Sequence, residues 1–175
     1  MRADARRNAD RIVATAAEVV ARDGADASLE DIARRAGVGS ATLHRHFPSR
    51  AALLEAVFHE RVEGVCWRAR ELTGAPDPYA ALVAWLREFG AYVTSTRGLA
   101  ASLLPGPHHS DACVAMLAEA GDGLLTRAVQ AGTVRRDISV TDLLTLVNGV
   151  AVATGHGGPG ETDRLLTLAL EGIAP

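Results

Sequence analysis

Residues 40–50 read SATLHRHFPSR and gather hydroxyl, imidazole and guanidinium groups on one short stretch. Ser40, Thr42, His44, Arg45, His46 and Arg50 all carry hydrogen-bonding side chains, and Ala41 and the Thr42 methyl add small apolar contacts. Such a set suits a polar, anionic surface read at close range. A guanidinium at Arg45 can fork onto the O6 and N7 of a guanine, worth roughly 1–3 kcal/mol of discrimination. Ala41 and Thr42 can meet a thymine methyl. His46 and Arg50 lie further along and suit phosphate oxygens, as do the free N–H groups opening the next helix. Arg2, Arg6 and Arg7 form a basic arm that can reach a nucleic-acid backbone or minor groove.

Chemistry of this kind needs elements that hold it outward. Ala9, Ile12, Val13, Ala16 and Val20 keep helical spacing, and Gly24 marks a stop, so a first helix is expected over about 5–23. Ser28 can cap a second helix, with Asp31 three residues on as an acidic capping box. Leu29, Ile32, Ala33 and Ala36 give that helix one buried stripe, and Gly37 ends it. Val38-Gly39 makes the turn, and Ser40 can cap a third helix over 40–46. Leu43 and Phe47 point inward from it. Pro48 stops it, and Ser49 can cap a long fourth helix running to about Thr73. Helix, glycine turn and short helix describe a helix-turn-helix, whose second helix enters the major groove. The same pattern also suits an ordinary bundle with a solvated face, and the residues by themselves leave both readings open.

The rest of the chain reads as helix throughout. TGAPDP, 73–78, is the clearest punctuation, with Asp77 and Pro78 suited to a cap and first helical position. Helices are expected over 78–96, 98–104, 110–131 (capped by Ser110), 139–154 and 161–173, with PGPHHS and GHGGPG as loops. That makes an all-α protein of about nine helices. Composition agrees: 48% of the 175 residues are hydrophobic, mostly Ala, Leu and Val, and 4% are aromatic. Net charge is −3, but residues 1–50 hold nine Arg against seven acids, and the remainder nine against fourteen. A mildly basic front on an acidic body permits nucleic-acid binding; a strongly basic polyanion binder would look different. Cys66 and Cys113 lack metal-type spacing and read as small buried hydrophobes. The N-terminus has no apolar signal region, and the apolar run around 143–153 is too short to span a bilayer, so a cytoplasmic protein without membrane contact is expected.

Enzyme readings find no purchase. Neither G-x-S-x-G, H-E-x-x-H nor Glu-x-x-His occurs. GVGSAT lacks the last glycine of a dinucleotide loop and follows a helix, not a strand. His108-His109, beside Pro107, read as plain surface. No catalytic residue, metal or cofactor is expected.

The run SLEDIARRAGVGSATLHRHFPSRAALLEAVF, 28–58, closely resembles the DNA-binding domain of the TetR family of transcriptional repressors. The shared features are the hydrophobic pattern, the A-G-V turn, the T-L-x-x-H-F core of helix three and the basic residue before A-x-L-L. The resemblance implies a helix-turn-helix DNA-binding domain over 1–48 and a ligand-binding and dimerisation domain over 49–175. It implies a homodimer that binds a palindromic double-stranded operator and is released by a small-molecule ligand. Ser40, Ala41, Thr42, His44, Arg45, His46 and Arg50 then hold the DNA-facing positions. Two departures stand out: many members carry Tyr at the place of His44 and Lys at that of Arg50. The phrase AGTVRRDISVTDLLTLVNGV, 131–150, looks like a segment preceding the family's last two helices, which build the dimer interface. A ligand pocket is expected among helices four, five, 110–131 and the penultimate one, with Trp67, Trp85, Phe89, Tyr92, Met116 and Asn148 as candidate contacts. A helical small-molecule-binding protein without sequence-specific DNA binding is the alternative.

Overall fold

Helical spacing of the apolar residues carries through to three dimensions. The computed structural model describes residues 2–23, 27–103, 108–154 and 159–173. Among the described residues there are eight α-helices and no strand: α1 Arg2–Asp23, α2 Leu29–Arg35, α3 Ser40–His46, α4 Arg50–Leu72, α5 Pro78–Leu103, α6 His108–Gln130, α7 Val140–Ala153 and α8 Pro159–Glu171. The separate helix expected over 98–104 is absent because α5 runs through Gly98 to Leu103. One glycine costs a helix only about 1 kcal/mol and forces no break. His108 and His109 open α6 instead of lying in a loop. The stop at Gly24, the residues 104–107 and most of GHGGPG lie outside the described residues.

The chain divides into two compact units, one of residues 1–61 with 96–106, the other of 62–95 with 107–175. In the first, α1, α2 and α3 pack on one another. Ile12, Ala16, Ile32, Leu43, Leu53 and Val57 form its centre, with Phe47 and Phe58 packed against it. Burying each large aliphatic side chain contributes about 1.5–3 kcal/mol. That is what holds α3, since a seven-residue helix is not stable by itself.

The turn between α2 and α3 is built from backbone. Gly37 has φ 65°, a left-handed value that a side chain would strain. Its N–H donates to Arg34 O at 3.2 Å, and Val38 N–H donates to Ala33 O at 3.0 Å. These crossed bonds close the helix end and turn the chain toward α3.

In the second unit α6 packs on α7 and α7 on α8. Trp85 is fully buried, and its indole N–H donates to Val65 O at 3.0 Å. Gly121 is where α6 makes room for it: a Cβ there would run into the Trp85 ring and lie 2.9 Å from Val140 Cγ1. Arg127 of α6 steadies the α4–α5 turn, donating to the carbonyls of Thr73 and, at 2.7 Å, Ala75. At the start of α7, Ser139 and Asp142 form a full capping box.

Candidate nucleic-acid interface

The candidate interface lies on the outer side of α3. Leu43 is 1% exposed and fixes the inner side, and the residues around it divide by helical period. Ser40, Ala41, His44 and Arg45 are exposed, Thr42 and His46 half-buried. The His46 ring lies 6.3 Å from that of Phe47, tilted by 43°. Arg50, half-buried, begins α4. The structure therefore brings the seven residues singled out from sequence onto α3 and the start of the next helix.

Two local expectations change. Gly39, in extended conformation with ψ 151°, is the N-cap of α3, and it makes no side-chain cap bond. Ser40 is already the first helical residue, because the turn delivers the chain one residue earlier than its sequence suggested. Its hydroxyl is thereby left on the outer side instead of being committed to a cap. At α2 only half of the expected capping box forms. Asp31 N–H donates to Ser28 Oγ at 3.3 Å, but the Ser28 hydroxyl donates to Glu30 at 2.9 Å. Asp31 turns instead to Arg34 and to Arg35 at 2.6 Å, with Arg22 at 3.9 Å.

Electrostatics beside α3 follow from these bonds. The Glu30 carboxyl is held below its ordinary value by its own backbone N–H and by the Ser28 hydroxyl. The charges of His44 and Arg50 push the same way. The Glu30 carboxylate thus lies close enough to His44 and Arg50 to feel them electrostatically. Burial works to raise Asp31, but hydrogen bonds from Arg35 and Arg34 bring it below its ordinary value.

Sequence reasoning passed over Arg11. Its guanidinium, reaching from α1, donates to the carbonyl of Ala36 and, at 3.3 Å, to that of Gly37. Periodicity gives no signal for it, since the side chain is on the exposed side of its helix.

Of the candidate ligand contacts, the structure gathers some and disperses others. Trp85 and Phe89 are buried in the second unit's core. The Phe89 and Tyr92 rings stand 6.1 Å apart on α5. Met116 is half-buried, its carbonyl accepting the Cys66 thiol at 3.6 Å. Trp67 is 58% exposed, because the turn of α4 that buries Val62, Val65, Cys66 and Ala69 sends it the other way. Asn148 is exposed for the same reason beside buried Val147. An open hollow of about 380 Å³ lies elsewhere, lined by Asp77, Tyr79, Thr133 and Glu171. Its hydroxyls are committed to backbone, Tyr79 to Leu170 O at 3.1 Å and Thr133 to Ala128 O at 2.9 Å.

With that geometry in place, likeness to known proteins decides the family. Residues 12–57 match the pattern of bacterial regulatory proteins of the tetR family, and residues 77–175 match the C-terminal domain of SbtR-like transcriptional regulators. The chain belongs to the TetR family of transcriptional regulators. The TetR regulator SCO0520 from Streptomyces coelicolor is 36% identical, with a TM-score of 0.79 over 95% of this chain and 98% of that one. A TetR regulator from Mycobacterium vanbaalenii is 30% identical, with a TM-score of 0.75 over 99% of each chain. The HTH-type transcriptional repressor LfrR of Mycolicibacterium smegmatis is 38% identical over 76 residues, which are 42% of this chain and 40% of that protein. The TetR assignment fits the outward set on α3 and the all-helical second unit.

Proposed function

We propose that this TetR-family protein is a repressor that reads a palindromic operator with α3 and leaves it when a small molecule binds. DNA reading is assigned to residues 1–48, ligand sensing and dimerisation to residues 49–175. The observation that carries the reading is the division of α3: Leu43 is sealed in the core, while Ser40, Ala41, His44 and Arg45 remain exposed together. In this scheme Ser40, Ala41, Thr42, His44 and Arg45 meet base edges, and His46 and Arg50 meet phosphate. A repressor named among its relatives, LfrR, supports repression over activation.

Two half-sites one helical turn apart require two copies of α3. The outer face of α7 supports a dimer made through α7 and α8. Leu146 is 38% exposed, Val152 52% and Leu168 56%, with small Gly149 and Ala153 beside them. A second copy seated there covers apolar surface that a single chain leaves in water. The ligand is assigned to the neighbourhood of Trp85, Phe89, Tyr92 and Met116, the half-buried or buried members of the candidate set. Release then works by population shift: ligand prefers a dimer whose two α3 helices are wrongly spaced, and its differential affinity sets how far occupancy falls. Among the described residues no helix is long and apolar enough to cross a membrane, and the proposed work on DNA is cytoplasmic.

The test is selection of duplexes from a random-sequence pool, followed by fluorescence anisotropy across a salt series. Recovery of a palindrome bound tightly by a dimer supports the reading. Equal, weak binding to selected and random duplexes overturns it, and leaves the alternative of a helical small-molecule binder without sequence-specific DNA binding.

A further inference from the structure

We propose that Arg11 is a positioning residue: its guanidinium sets the angle at which α3 is presented to DNA. The inference rests on the reading of α3 given above. Arg11 lies on α1, on its exposed side, and fills no part of the core. Its Nη2 reaches across to the α2–α3 turn and donates to the carbonyls of Ala36 and Gly37, the latter at 3.3 Å. The turn's own bonds consume the amides of Ala36, Gly37 and Val38, which donate to Ile32, Arg34 and Ala33. The carbonyls of Ala36 and Gly37 are what Arg11 takes up. A charge-assisted bond of this kind is about twice as strong as a neutral one.

Gly37 serves this contact twice over. It adopts φ 65°, and a Cβ on it would stand 3.0 Å from Arg11 Nη2. A side chain there would strain the turn and crowd the guanidinium together. Two residues beyond, Gly39 O accepts from Thr42 and Leu43 and opens α3. The helix is short, with Leu43 its one fully buried side chain. Leu43, with Phe47 packed just beyond the helix end, fixes its depth and its C-terminal end, so the orientation of its leading end depends on the turn. Arg11 ties that turn to α1. Base reading depends on placing several short side chains at once, so loss of the tie reduces discrimination before it reduces charge-driven binding.

The test uses the full-length protein, a duplex selected by the wild type from a random pool, and a random duplex as control. Arg11→Met keeps the aliphatic stem and removes the fork. The selected-over-random affinity ratio is expected to fall about tenfold, the scale of one lost base contact. Affinity for random duplex and the slope of log Kd against log salt should not change, since no phosphate contact is lost. Arg11→Lys offers a point charge without the fork and should restore only part of the ratio; it also carries the test if the Met variant does not fold.

A salt slope shallower by about one would make Arg11 a phosphate contact and overturn the proposal. Full recovery by Lys would overturn it too, because charge alone would suffice. So would a lowered Tm with the ratio intact, which describes a brace for the fold. A wild type without preference sinks the base-reading proposal and this one with it. A wild-type preference that both variants keep sinks this one alone.

Discussion

At the residue scale, the proposed DNA-facing set and the packing glycines make separable predictions. Arg45→Ala should relax preference at one base-pair position by roughly 1–3 kcal/mol, read by repeating the duplex selection. Arg50→Ala should weaken all duplexes alike and flatten the salt slope by about one. If the two variants behave identically, the division between base and phosphate contacts is wrong. Gly121 and Gly123 form a contrast of another kind. Gly121→Ala pushes a methyl into the ring of Trp85, which is buried and held by its N–H, so neither partner can give way cheaply. A net loss of about 1–3 kcal/mol is expected in a denaturant melt. Gly123 is exposed with nothing within 4 Å, and Gly123→Ala should stabilise by up to about 1 kcal/mol. Both glycines look alike in AEAGDGLL; only the position of Trp85 tells them apart.

At the element scale, helix ends show how neighbours decide between equal sequence signals. Ser28–Asp31 and Ser139–Asp142 have the same spacing. Arg34 and Arg35, one turn beyond Asp31, draw its carboxylate away, and α2 keeps half a box. No cation follows Asp142 at that distance, and its carboxylate accepts from Ser139 Oγ at 2.7 Å and from Ser139 N–H at 2.8 Å. Ser139→Ala should therefore lower stability by about 1 kcal/mol. The bonds from the Ser139 hydroxyl and backbone N–H hold the Asp142 carboxyl below its ordinary 3.8. A depressed carboxyl stabilises fully above that ordinary value, and the contribution disappears as pH falls through the depressed one. The Tm gap between wild type and Asp142→Asn should be open at pH 7 and close on acidification below about pH 4. A gap that persists in acid would assign the effect to something other than the ionised carboxylate.

At the scale of the whole molecule, the question is what covers α7 and α8. Leu166 and Leu170 of α8, with Ile173 just beyond it, are buried within the chain, so most of the apolar side of this segment is used internally. Leu168 and the outer face of α7 are the remainder. Leu168→Glu with Val152→Glu places two charges in the proposed interface, where unpaired burial is costly. Sedimentation should show wild-type dimers turning to monomers, with operator affinity falling while far-UV helicity is kept. A double variant that stays dimeric would move the interface elsewhere.

The sequence by itself determined most of the helices, the glycine turn and the outward set on α3, but not the unbroken run of α5 to Leu103 or the start of α6 at His108. Those follow from local rules: a 3.6-residue period, the left-handed freedom of Gly37 and the polarity of residues flanking Leu43. It also carried the family, because motif and spacing survive in one dimension. Tertiary structure decided which tryptophan is core, which of two glycines faces a packed ring and which serine completes a box. It also decided that an exposed arginine on α1 ties down the α2–α3 turn. Each depends on a partner distant in sequence (Val65 for Trp85, Ala36 for Arg11), and hydrophobic period is blind to a pairing that only packing creates.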